Sequence, residues 1–174
     1  MRKKILLYCI VLIWLGVIFC FSAMDGNASG ALSKKVTITV VTTYIKIGQK
    51  IGVVSQDITK AEAKKLVTLF HHYVRKLAHA TEYGLLAFLI LLSLGTNKIT
   101  LKRNILIVIV ACFFYSLTDE YHQTFVSGRG GVFTDCLIDT LGAMIASLLY
   151  RIQWKEATRK ERGKIAEFHP KGTG

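Results

Sequence analysis

Proline is almost missing from this 174-residue sequence: Pro170 is the only one, and it lies in the tail. Long helices are therefore free of the residue that most strongly breaks them. Cysteine is scarce too, with four residues and neither a CxxC pair nor metal-finger spacing, which removes disulfide scaffolds and zinc fingers from consideration. Cys9, Cys20 and Cys112 lie inside apolar runs and Cys136 one turn into another, so all four read as buried small hydrophobes. There is no internal repeat, no low-complexity tract and no evident nucleophile motif. Acidic residues are few, 11 against 23 Lys and Arg, which leaves a formal net charge of +12. Such a charge suits nucleic acid or an anionic membrane. The basic residues fall between long apolar runs and not along one face of a folded domain, so the partner is a lipid bilayer and not nucleic acid.

What the sequence has in quantity is apolar side chains, 52% of residues with a mean hydropathy of +0.41. A bilayer core about 30 Å thick takes roughly 20 helical residues. Ile5 to Ala23 supplies the first span, preceded by Arg2, Lys3 and Lys4. A signal peptide is the rival reading. This apolar run exceeds the roughly 7–15 residues of a usual signal core, however, and Phe21 spoils a small-residue cleavage site at Ala23. Leu77 to Leu94 and Val132 to Tyr150 supply the second and fourth spans. The third run, Ile105 to Leu117, reaches full length only if its helix continues through Asp119, Glu120 and Gln123.

The basic residues set the orientation. Arg2, Lys3 and Lys4, then Lys98, Lys102 and Arg103, then the basic tail 151–174 are all expected in the cytoplasm, with both termini inside. Residues 24–74 become an extracytoplasmic segment, itself rich in lysine. Within it, the β-branched run Val36 to Ile45 reads locally as strand, with a helix as the rival. Thr59 and Glu62 have capping-box spacing, and Ala63, Leu66, Val67, Phe70 and Val74 share one face of the helix that follows. From Lys155 onward the tail reads as a surface helix fraying into disorder. The expected fold is all-α: a single membrane domain, a four-transmembrane-helix bundle with an amphipathic interfacial helix before the second span.

Three spans carry polar stripes at helical spacing. Arg75, His79 and Glu82 share a face of the second, bordered by Tyr83. Ser116, Asp119, Glu120 and Gln123 do so on the third, and Asp135, Asp139 and Gly142 on the fourth. Arg129 sits in the turn Ser127 to Gly131, which is glycine-rich but lacks the lysine and the context of a phosphate loop. The topology brings all three stripes to the outer end of the bundle. Two readings follow: ion pairs that glue the helices, with Arg75 and Arg129 neutralising Asp119, Glu120, Asp135 or Asp139, or a ligand site. An arginine pair suits phosphate or carboxylate. The carboxylates supply oxygen ligands for a divalent cation, though no specific motif supports one and the arginines oppose it. His71 and His72 read as a surface pair.

These blocks resemble the VanZ-like family of bacterial membrane proteins. Arg75, Lys76, His79, Glu82 and Tyr83 fit R-K-x-x-H-x-x-E-Y. Asp119, Glu120, Gln123, Phe125, Gly128 and Arg129 fit D-E-x-x-Q-x-F-x-P-G-R, and Asp135, Asp139 and Gly142 fit D-x-x-x-N-x-x-G. Ser127 stands where that pattern has proline, Asp139 where it has asparagine, and Ala146 where it has a second glycine. The similarity covers about residues 75–149. It implies a bacterial cell-envelope protein with a link to teicoplanin susceptibility, and it implies no mechanism. The residues themselves point to an anionic lipid or a lipid-linked cell-wall precursor at the outer site. The alternative is an intramembrane hydrolase or transferase acting on a lipid-linked phosphate or ester, with His79 or Glu120 as general base.

Overall fold

The capping box expected at Thr59 starts a helix in the computed structural model, which describes residues 2–95 and 98–168. Thr59 Oγ1 accepts the Glu62 N–H at 3.2 Å, and the Glu62 carboxylate accepts the Thr59 N–H at 2.8 Å. Five helices make up the described chain: α1 (Arg2–Ser22), α2 (Gly26–Lys50), α3 (Lys60–Leu94), α4 (Lys98–Gln123) and α5 (Phe133–Phe168). Of these, α1, α3, α4 and α5 are long and apolar enough to cross a membrane. The third span does run on through Asp119 and Glu120 to Gln123. The last six tail residues, with Pro170, lie outside the described residues.

Two features of the segment before the second span differ from the local sequence reading. The run Val36 to Ile45 lies inside α2, so the strand is replaced by its rival, a helix. An extended run here would have no partner strand among the described residues, whereas a helix satisfies its own backbone. In addition, α2 buries Thr37, Val41, Ile45 and Gly48, all on one face. The hydroxyls of Thr37 and Thr39 also bond back to carbonyls four residues earlier. Intrinsic β preference is a weak prior beside such packing. The amphipathic segment after Thr59, in turn, is not a separate element, because it runs without a break into the second span as α3. Helices α2 and α3 pack as an antiparallel hairpin, with His71 Nε2 2.8 Å from Ser33 Oγ.

Helix α3 is the centre of the bundle and packs against all four others. Its seam with α5 is set by small residues. A Cβ on Gly142 would fall 2.0 Å from the Ala80 carbonyl oxygen, and one on Gly84 would fall 3.1 Å from that of Gly142. Such contacts let membrane helices approach closely. The adjoining core comprises Ile18, Tyr83, Leu86, Ala87, Leu91, Val108, Cys112 and Ala143. Helix α1 joins it through Ile18 and through two long-range bonds, Trp14 Nε1 to the Glu82 carbonyl at 3.0 Å and Tyr115 OH to the Leu15 carbonyl at 2.8 Å. Only one face of α1 is covered, and Cys9 and Cys20 are exposed on the other, unlike Cys112 and Cys136. The expectation of four buried cysteines is corrected to two, because a peripheral span turns half its apolar surface outward. Leu12, Leu106, Leu141 and Leu148 are likewise exposed, a surface that lipid and not water would cover.

Candidate functional site at the polar end of the bundle

The end of α1, the start of α5, the end of α4 and the middle of α3 meet at one level, joined by loop 124–132. The loop turns through an Arg129 N–H to Val126 carbonyl bond of 3.1 Å, with Gly128 at φ 71°. Its position is fixed from two sides. The Glu120 carboxylate accepts the Val132 N–H at 2.8 Å, and the Gly26 N–H donates to the Ser127 carbonyl at 2.9 Å. Gly26 lies against Gly128 so closely that a Cβ would sit 2.1 Å from the Gly128 carbonyl oxygen.

Between α3, this loop and α5 lies a cavity of about 200 Å³. Arg75, Lys76, His79 and Arg129 line it together with Asp135 and Asp139. His72 stands exposed at its edge, whereas its neighbour His71 is bound into the α2–α3 hairpin. The expected gluing of acids by the two arginines is not what the helices do. Among the described residues, the ion pairs are Lys76 Nζ to Asp135 Oδ1 at 2.6 Å and the His79 Nδ1 to Glu82 Oε2 approach of 3.7 Å. Arg129 donates through Nη2 to the Phe21 carbonyl at 2.9 Å, which ties off the end of α1. Its Nε and Nη1 are buried without a hydrogen-bond partner. Burial, then the neighbouring charge of Arg75, pulls its pKa below the usual arginine value, while Asp119, Glu120 and Glu82 act in the opposite sense. The guanidinium stays charged throughout.

The expected residues divide into two groups. Arg75, His79, Arg129, Asp135 and Asp139 reach the cavity. Asp139, only 1% exposed, accepts from Ser116 Oγ at 2.6 Å through Oδ2 and leaves Oδ1 without a partner. Glu82, Tyr83, Asp119, Glu120 and Gln123 are outside its lining. Tyr83 is fully buried in the core, 6.0 Å from the Tyr115 ring between centroids. Gln123 Nε2 reaches Asp119 at 3.2 Å and Glu120 at 3.4 Å. No three His, Cys, Asp or Glu side chains among the described residues are placed to share a metal ion.

Two contributors were not in the expected set. Lys76 lies three residues before His79, so helical spacing alone could have placed it with the stripe. The end of α1 and the start of α2, which supply Phe21 and Gly26, carry no local signal, because their contact with the loop is made by backbone.

Compared with curated proteins and with solved structures, the chain has no significant match to either. A family model matches residues 5–154, taking in α1 and α2 as well as the segment from Arg75 onward. With those residues and motifs in place, the chain belongs to the VanZ/LLP1 family.

Proposed function

We propose that this is a multi-pass cell-envelope protein that binds an anionic headgroup or cell-wall precursor in the cavity between α3 and α5. Both termini lie in the cytoplasm and the polar end faces outward, as the basic residues before α1, between α3 and α4 and after Tyr150 support. One observation carries the reading: Arg75, Lys76, His79 and Arg129 line a small cavity, and among the described residues neither arginine has an acidic partner within ion-pair distance. Buried guanidinium nitrogens without partners are costly. An oxyanion held by Arg75 and Arg129 supplies what they lack, in the geometry arginine prefers. The open Oδ1 of Asp139 adds an acceptor, so a ligand with a hydroxyl or amine beside its anionic group fits best. On this reading an envelope effect, glycopeptide and teicoplanin susceptibility included, follows from occupancy of the cavity.

The test is Arg75→Ala beside Arg129→Ala, read as binding of an anionic phospholipid to protein in nanodiscs. Both variants should insert normally and lose at least tenfold in affinity. Wild-type affinity in both would end the proposal.

A second reading, an intramembrane hydrolase or transferase, is favoured by one observation. His79 Nδ1 and Glu82 Oε2 face each other at 3.7 Å, both buried without hydrogen bonds, with His79 on the cavity wall. An imidazole beside a carboxylate can serve acid–base chemistry on a lipid-linked phosphate or ester. Glu120 suits that role less, since the Val132 N–H and Gln123 already occupy it. Turnover of a lipid phosphate that is lost in His79→Gln, with binding kept, would establish this reading. Binding without any turnover would dismiss it.

A further inference from the structure

A second hollow lies on the other side of the loop from the cationic cavity. It measures about 450 Å³ and sits between the last turns of α4 and the first turn of α5. Leu117, Tyr121, Thr124, Val132, Phe133 and Cys136 are among the residues that line it. The walls are largely apolar, and Tyr121, Val132 and Phe133 are exposed on the outer surface of the bundle. It is therefore open to the bilayer that surrounds the spans.

The two hollows share one lining residue. Gly130 lines the cavity, Gly131 the groove, and Val132 both. The partition between them is thin and held in place. A Cβ on Gly131 would lie 2.3 Å from the Glu120 carbonyl oxygen, and the Val132 N–H is bound by the Glu120 carboxylate at 2.8 Å. Glu120, which itself lines the groove, thus holds the sill between the two spaces.

A cationic pocket that continues into an apolar groove is complementary to one kind of molecule, an anionic head with a hydrocarbon chain attached. We infer that the ligand is a phosphate-bearing lipid whose head lies between Arg75 and Arg129 and whose chain crosses Val132 into the groove between α4 and α5. This rests on the anion-site reading above and extends it from a charge to a whole amphiphile. A soluble phosphate would fill the first space and leave the second unused. A lipid gains on both sides, since each methylene buried adds apolar contact.

The experiment uses the full chain in phosphatidylcholine nanodiscs with a trace of phosphatidic acid carrying a photoreactive group in its acyl chain. The control is phosphatidylcholine with the same group. Cross-links are mapped by mass spectrometry. The phosphatidic acid probe should label residues 117–136 at least fivefold more than the control, and Arg129→Ala should abolish the excess. Thr124→Trp and Val132→Trp, which fill the groove from opposite walls, should each cut labelling there severalfold in protein that remains monodisperse. Unlabelled phosphatidic acid should displace the probe, and inorganic phosphate at the same concentration should not. Excess labelling that depends on Arg129 but maps away from the groove would overturn the chain path and leave the anion site standing. Equal displacement by inorganic phosphate would overturn the lipid assignment. Equal labelling by both probes would overturn the anion site as well.

Discussion

Two sets of polar side chains share one end of this bundle, and they are held differently. On the α4 side, Glu120, Gln123 and Ser116 are engaged: with the Val132 N–H, with two neighbouring carboxylates, and with Asp139. On the α3 side and in the loop, Arg75 has no ion pair among the described residues, His79 and Glu82 face each other without a hydrogen bond, and Arg129 keeps two buried nitrogens unpaired. Satisfied groups of the first kind hold helices and loops in place, while groups of the second kind wait for a partner. Residue type does not separate the sets, since each contains acids. Position relative to loop 124–132 does.

The comparison can be broken most severely at the seam beneath both sets. Gly142→Leu forces a side chain where even a Cβ would meet the Ala80 carbonyl at 2.0 Å, so folded protein in the membrane should fall to a small fraction of wild type. Fluorescence size exclusion reads this directly, and a normal monodisperse peak would refute the tight α3–α5 crossing. Glu120→Ala strips the sill of its anchor and leaves the Val132 N–H unpaired, a loss of about 1–3 kcal/mol that thermal unfolding should detect. An unchanged midpoint would place Glu120 in the other set.

Asp135→Asn tests the set around the cavity. It removes the partner of Lys76 from a pair whose side chains are 22% and 27% exposed, so stability should fall by only about 1 kcal/mol or less. Anionic-lipid affinity should rise severalfold, because Lys76 is released and a negative charge leaves the wall. Weaker binding would mean that Asp135 positions Lys76 for the ligand. Tyr115→Phe should leave binding untouched and lower only the thermal midpoint, by the equivalent of about 0.5–1.5 kcal/mol for the lost bond to the Leu15 carbonyl.

The spans were legible because apolar runs of the required length have few other uses. The third was legible by its shortness: a run of thirteen residues needed Asp119 and Glu120 to complete a crossing, and α4 includes both. Helix α2 was not legible from its β-branched run, because the contact that decides it, with α3, comes from residues beyond the local window. Helical spacing placed these polar side chains at one end, but which of them open into a cavity depends on loop 124–132, and the Gly26 and Phe21 backbone that holds it leaves no pattern. The ion pair shows the limit at its finest. Arg75 and Lys76 are adjacent cations, and only the geometry of α5 shows that Asp135 takes the lysine.

Helix α3 has one further consequence. At 35 residues it is about 52 Å long, well beyond the thickness of a hydrocarbon core of about 30 Å. Arg75, Lys76 and His79 are therefore carried on the same unbroken rod as the stretch from Lys60 to Val74 that pairs with α2. A rod transmits tilt. A change of tilt in the hairpin would carry the α3 wall of the cavity with it, and α5 as well, since the Gly142–Ala80 seam and the Lys76–Asp135 pair fasten the two helices together.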